Sequence, residues 1–357
     1  MFKKISFSKF VLIFSSILVI FSIYHLVVWY LYTSKIFDTK PYVVGDIGRM
    51  SYSLDSLHYR IDTITLPNKM ISYDKYTNDT QVDIVTIGDS FSNGGACGKN
   101  PYYQDYITSE TNKTVLNIQN INEKYTYIET LNGLLDKGWF DKIKPKIVIL
   151  ETVARRVSDE YTKVQDWNIK LDNSYESKLY GRGWRDPIEK PLIINTANYK
   201  LPYYNLMYKY KNNAQKDVFK FNISKPLFSV KANQVLLVHK DDIESLNDFD
   251  SFDNIQRINE NMNRLALKLK SKGIQLYFMP AVDKYDLYSK YIVDNKYHEN
   301  KLFSSLKGLE KEYELIDTKS ILEPLLDKGI EDIYYADDTH WSYKASEEII
   351  RKIELIR

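Results

Sequence analysis

Hydrophobic and polar positions divide this chain into three regimes. From Phe10 to Tyr32 nearly every residue is apolar, a run long enough to cross a bilayer as one helix. From Ser34 to Gln81 polar and apolar residues mix without a period, broken by Pro41, Gly45 and Gly48. That pattern predicts a linker that then packs on the main domain. From Val82 onward, short apolar runs rich in β-branched residues alternate with amphipathic stretches, which predicts strands and helices in turn.

The predicted strands begin at Val82, at Thr114–Ile118, at Lys146–Leu150 ending at Glu151, at Ile274–Met279 ahead of Pro280, and at Leu315–Asp317. The predicted helices are Pro101–Thr111, Tyr125–Lys137 closed by Gly138, Phe252–Lys272 closed by Gly273, Asn300–Tyr313 and Ser342–Leu355. Between them, Val157 to Val238 alternates neither as strand nor as helix and reads as an insertion over the active-site face. Such a series predicts an α/β fold, a parallel sheet with helices on both faces. Ligands bind such sheets at the carboxyl ends of the strands. Ser90 and Glu151 each fall just past a predicted strand end. The expected organisation is therefore 1–32 for the cytoplasmic start and transmembrane signal anchor, 33–81 for linker and packing segment, and 82–357 for a catalytic domain with its insertion at about 157–238.

Lys3, Lys4 and Lys9 precede the apolar run, so the positive-inside rule leaves the N-terminus in the cytoplasm and the rest outside the membrane. Trp29, Tyr30 and Tyr32 suit the far interface. No small-residue cleavage site follows, so the anchor is expected to stay. His25 reads as a residue tolerated near the outer end of the span. The chain of 357 residues carries 49 basic and 47 acidic side chains, and that balance gives no field of the kind nucleic acid requires. The 30 tyrosines read as compositional drift. Cys97 is the only cysteine, which excludes an intrachain disulfide, and it reads as inert. The scattered histidines predict no metal site and no cofactor is expected.

The candidate chemistry begins in Val82–Gly95, VDIVTIGDSFSNGG. A buried strand stops at Gly-Asp and delivers Ser90 to the lip of a turn. If a helix follows, its first N–H groups point toward the serine hydroxyl and can hold an oxyanion. A serine nucleophile needs a base, and the base needs an acid to fix its tautomer. The stretch Tyr334–Ser342, YYADDTHWS, offers His340 with Asp337 and Asp338 both within reach.

These residues together resemble the SGNH-hydrolase superfamily, also called GDSL esterases. Gly88-Asp89-Ser90-Phe91 matches its first block and Asp338-x-His340 its last. Asp338-Thr339-His340-Trp341, the stretch Ile149–Arg155 with Glu151 and Arg155 four residues apart, and the single anchor resemble the membrane-anchored branch related to alginate O-acetyltransferases and the Asp-His-His-Trp family. The resemblance covers Val82–Arg156 and Ile274 to the C-terminus. It implies a three-layer α/β/α doubly wound sheet, with Ser90 as nucleophile, His340 as base and Asp338 as orienting acid. Arg155, Glu151 and Trp341 are then expected at the oxyanion or substrate-positioning sites. The second-block glycine is not evident around Leu116–Asn122, the third-block Gly-x-Asn-Asp is replaced by Glu151–Arg155, and the alginate enzymes carry their blocks circularly rearranged. The implied activity is O-acetylation of a surface or secreted polysaccharide through an acyl-serine, beside a multispanning membrane acyltransferase that supplies the acetyl group. A carbohydrate esterase or deacetylase of the same fold, and a noncatalytic polysaccharide-binding assembly protein, are the alternatives. Trp167 and Trp184 are expected as sugar platforms.

Overall fold

The computed structural model describes residues 6–37, 44–58, 64–77, 79–95, 100–179 and 190–353. Lys3, Lys4, Cys97 and Trp184 lie outside the described residues. In chain order the strands are β1 (Ile71–Ser72), β2 (Ile84–Ile87), β3 (Val115–Ile118), β4 (Ile147–Val153), β5 (Val218–Asn222), β6 (Val235–His239), β7 (Gln275–Ala281) and β8 (Glu314–Leu315). Six of them form one sheet in the order β1-β3-β2-β4-β7-β8, and every neighbouring pair in it is parallel. The protein is thus α/β, with a parallel sheet and an N-terminal apolar helix.

Burial on both faces explains why the central strands read as unbroken apolar runs. All four residues of β2 and all seven of β4 are buried. The chain leaves β2 for β3 on one side and returns past β2 to β4 on the other. Strand order reverses there, so the loops leaving β2 and β4 diverge and open a crevice at the carboxyl edge.

The helices follow the periodicity where it is strong. Phe252–Lys270 buries Ile255, Ile258, Met262, Leu265 and Leu269 on one face, and the Ser251 hydroxyl caps it by accepting from Asn254 N–H. Gly138 and Gly273 have φ of 76° and 73°, the left-handed conformation that closes a helix and suits glycine. Helix Phe252–Lys270 packs on Tyr127–Asp136, while Tyr343–Lys352 packs on Tyr103–Thr111 and on Thr318–Asp327.

Three expectations are corrected. Asn300–Tyr313 shrinks to the helix Leu302–Lys307, because the chain turns at Gly308 and the Asn259 and Asn263 amides hold the Glu310 carbonyl at 2.9 and 3.3 Å. The helix Thr318–Asp327 was not expected; the Asp317 carboxylate caps it through Ser320 N–H, and it carries Pro324 internally. The middle of the chain is also more regular than its pattern. β5 and β6 pair antiparallel in a sheet of their own, and consecutive buried residues on both erase the alternation that would have marked them.

The segment after the N-terminal helix is integral to the fold. The helix Asp46–Ser51 tucks Ile47 against Val218 and Leu237, and β1 extends the main sheet beside β3. The N-terminal helix runs unbroken from Phe7 to Ile36, with a mean hydropathy of 2.5 over its most apolar 18 residues, through a π-helical turn at Trp29–Thr33. It is the one helix among the described residues long and apolar enough to cross a membrane. His25 is not merely tolerated: it is buried, with Nδ1 2.7 Å from the Asn198 amide and Nε2 2.8 Å from the Tyr199 hydroxyl. The helix Ala197–Met207 is therefore docked on the N-terminal helix.

Candidate active site

β2 stops at Gly88, where any Cβ would run into the Glu151 carboxylate and the Ser92 hydroxyl. The turn beyond it is built by two acids. Asp89 accepts from Phe91 N–H at 3.0 Å and from Val153 N–H at 2.8 Å, tying the turn to β4. Glu151 accepts from Asp89 N–H and Ser92 N–H, both at 3.2 Å, and from Ser92 Oγ at 2.8 Å. Backbone bonds from Ser92 and Asn93 N–H to the Asp89 carbonyl close a single helical turn. The helix that would have presented its first N–H groups to Ser90 does not follow directly; a turn does, and the next helix begins at Tyr103. The N–H groups of Asp89, Phe91, Ser92 and Asn93 all serve this turn, and none of these bonds uses the N–H of Ser90.

The second half of the site comes from the loop 334–342, pinned at both ends. Tyr334 and Trp341 pair as an isolated antiparallel bridge, and the Ser342 hydroxyl caps the last helix through Lys344 N–H at 3.2 Å. From below, the fully buried Lys284 donates to the carbonyls of Tyr335, Ala336 and Asp338 at 2.7, 3.0 and 3.0 Å. Burial pulls its amine down to about 8, against the opposing charges of Asp337 and Asp338.

The two halves meet 250 residues apart in sequence. His340 Nε2 lies 2.6 Å from Ser90 Oγ, and His340 Nδ1 lies 2.7 Å from Asp338 Oδ1. Burial alone would depress the imidazole, but the hydrogen bond and charge of Asp338, aided by Asp46, outweigh it and raise its pKa above 6.5. The ring is held in place by Phe91, whose centroid is 4.8 Å away, and by Gly95, where a Cβ would run into the imidazole.

The ambiguity between the two aspartates is resolved geometrically. Asp337 turns away from His340, and its Oδ2 accepts from Gly45 N–H at 2.9 Å and His58 N–H at 3.1 Å, while its carbonyl accepts from Gly48 N–H at 2.7 Å. It fastens the 44–58 segment to the site. Asp46 of that segment accepts from Thr339 N–H at 2.8 Å and from Thr339 Oγ1 at 2.5 Å. Burial and the neighbouring Asp338 charge raise the Asp46 carboxyl. Asp46, Asp338 and His340 place metal-ligating atom types within 4.8 Å of one another, and hydrogen bonding already occupies each of the three.

A cleft of ≈ 920 Å³ opens in front of Ser90, with Asn93, Gln119, Tyr125, Tyr127 and Arg155 in its walls. Arg155, at the carboxyl end of β4, is oriented by Asp242 at 3.1 Å and Asp283 at 3.3 Å. It makes no pair with Glu151, which lies inside β4 rather than beyond it. Glu151 is wholly buried beneath the serine turn, and its carboxyl is raised well above the usual range by burial and then by the charge of Asp89. Trp341 is buried as well, its ring 4.7 Å from Phe91, and it packs behind the imidazole rather than in the cleft. Trp167 is likewise outside the cleft walls, covered by Arg264 at 4.3 Å and Lys268 at 5.4 Å.

Sequence reading missed Asp46, Asp89, Phe91 and Lys284 as supports of the site. Asp89 and Phe91 flank Ser90 and were within sight, but Asp46 and Lys284 reach it only through long-range contacts that leave no local signal. No family model matches this chain, and neither a curated protein nor a solved structure matches it significantly.

Proposed function

We propose that this chain is a membrane-anchored, extracytoplasmic serine enzyme of SGNH type that transfers an acetyl group to a hydroxyl of a surface or secreted polysaccharide. One observation carries the reading: Ser90, His340 and Asp338 form a continuous relay at 2.6 and 2.7 Å, and its serine opens onto the cleft. The packing of helices against one another around the sheet supports a three-layer arrangement, and the anchor with its preceding lysines supports the outward orientation.

The chemistry follows from the relay. Ser90 Oγ attacks the acyl carbonyl of the donor while its proton passes to His340 Nε2, and Asp338 steadies the resulting imidazolium. The oxyanion takes the Ser90 N–H, with Arg155 as the neighbouring positive group. When the carbonyl reforms, the donor oxygen departs with the proton from His340, leaving acyl-Ser90. The acceptor hydroxyl then gives its proton to His340 Nε2 and attacks the acyl carbon. Ser90 Oγ recovers that proton as it leaves. The acceptor's identity lies in the cleft rather than in the relay. Tyr125 and Tyr127 offer aromatic faces there, in the place expected of Trp167 and Trp184.

A fluorophosphonate probe should label the full chain and fail on Ser90→Ala; absence of labelling on the folded wild-type chain would overturn the serine-enzyme reading. With an activated acetyl ester, envelope oligosaccharides should divert acetyl from water to sugar. If no glycan accepts acetyl while acetylated glycans are rapidly deacetylated, the enzyme is an esterase.

A further inference from the structure

The most unusual surface of this protein lies beside its anchor. Leu192, Ile193 and Ile194 are exposed in succession, Leu192 at 82%. Tyr199, Tyr203 and Leu206 continue the exposed apolar surface at intervals of four and three along the helix Ala197–Met207, and Tyr210 follows at 77%. The opposite face of that helix is not polar either: Ala197 and Leu201 pack with Ile36 and Tyr52. Lys200 and Asn205 are the exposed polar side chains of this helix; its other exposed positions are Pro202 and the apolar or tyrosyl residues just named, more than a water-facing helix ordinarily carries.

The backbone of the preceding loop answers to the same environment. The Pro191 carbonyl accepts from Trp29 Nε1 at 3.0 Å, that of Leu192 from Asn195 Nδ2 at 2.5 Å, and that of Ile193 from Asn198 Nδ2 at 2.7 Å. Three successive loop carbonyls are thus satisfied by side chains of the protein itself. Exposed carbonyls in water need no such provision, whereas in hydrocarbon every one must be satisfied internally. The polar groups of the anchor at this level are provided for in the same way. Asn198 joins His25 to Thr33, whose hydroxyl is 2.6 Å from Asn198 Oδ1, and Tyr24 donates to the Asn198 carbonyl at 2.7 Å.

Depth follows from helix rise. Trp29 marks the interface, and Lys190 lies 5.2 Å over its ring, as expected at headgroup level. His25 is one helical turn deeper, about 6 Å at 1.5 Å per residue. Asn198 bridges His25 and Thr33, one turn to either side of Trp29, and so lies at the interface level, with the Ile193 carbonyl bonded on its His25-facing, membrane-side nitrogen.

We propose that the segment Pro191–Tyr210 is inserted in the outer leaflet of the membrane, with Leu192–Ile194 as its tip among the acyl chains and Tyr199, Tyr203, Leu206 and Tyr210 along the lipid boundary. The proposal rests on reading Phe7–Ile36 as a membrane span. It gives the catalytic domain one fixed pose on the bilayer. Tyr52 contacts both Phe37 and Tyr204, and the helix Asp46–Ser51 that leads into Tyr52 holds Thr339 beside the catalytic histidine.

The test uses the unmodified full chain in vesicles of phosphatidylcholine and phosphatidylglycerol, part of the phosphatidylcholine carrying a photoactivatable diazirine on its acyl chain. After illumination, lipid adducts are mapped by peptide mass spectrometry. Adducts are expected on peptides from Phe7–Ile36 and from Pro191–Tyr210, and none on the peptide bearing Val164, which is 98% exposed. Adducts on the anchor with none on Pro191–Tyr210 would overturn the proposal. Absence from both would instead overturn the membrane span. When the same lipid is fed to cells making the protein, loss of the Pro191–Tyr210 adducts while those on the anchor persist would assign this face to a membrane-protein partner and refute the lipid assignment.

Discussion

Replacing Asp338 and Asp337 separately tests the proposed relay most directly, because the structure gives two adjacent acids opposite duties. Asp338 Oδ1 accepts from His340 Nδ1 at 2.7 Å, which leaves Nε2 as the acceptor for the Ser90 proton. In Asp338→Asn the amide can instead donate to Nδ1. The proton then sits on Nε2, which can no longer accept from Ser90. A serine-protease triad loses roughly 10⁴-fold in turnover by this change, or about 5.5 kcal/mol of transition-state stabilisation at about 1.4 kcal/mol per decade. Asp337 instead accepts from the N–H groups of Gly45 and His58. In Asp337→Ala two such donors lose their acceptor, at about 1–3 kcal/mol each. The expected outcome is a split: Asp338→Asn keeps its thermal midpoint and loses hydrolysis of an activated acetyl ester, while Asp337→Ala melts earlier and retains turnover within about tenfold well below its midpoint. Equal losses of turnover, or an Asp337→Ala variant that is inactive at unchanged stability, would refute the division of labour.

Two further outcomes come from the site's electrostatics. Protonated His340 cannot accept from Ser90, so kcat/KM should fall on the acid side with a midpoint above pH 6.5, and a pH–rate profile with its midpoint below that value would contradict the role of Asp338. Glu151 is held toward its neutral form by burial and the charge of Asp89, so Glu151→Gln should preserve the thermal midpoint near neutrality while Glu151→Ala, which removes the acceptor of three hydrogen bonds, should lower it. A raised carboxyl contributes stability that is complete at acid pH and is lost as pH rises through its folded pKa. Thermal melts across pH should therefore lose that slope in Glu151→Gln.

The linear sequence determined what depends on near neighbours. Apolar runs buried on both faces marked β2, β3, β4 and β7, and the helix Phe252–Lys270 was legible because its apolar positions keep a 3.6-residue period. The N-terminal apolar helix was legible from length and apolarity alone. Ser90 and His340 stood out because a strand-ending Gly-Asp-Ser and a histidine among acids are local signals. Reach along the chain left Asp337 and Asp338 equal, and only the resemblance singled out Asp338; the structure sets Asp338 against His340 Nδ1 and turns Asp337 toward Gly45 and His58. It also decided that Glu151 supports the serine turn from below and that Trp341 packs behind the imidazole. The 44–58 segment, β5 with β6, and the contact of Asn198 with His25 were hidden for the same reason. Their partners lie tens to hundreds of residues away, and a contact made across that distance imposes no period on the residues that make it.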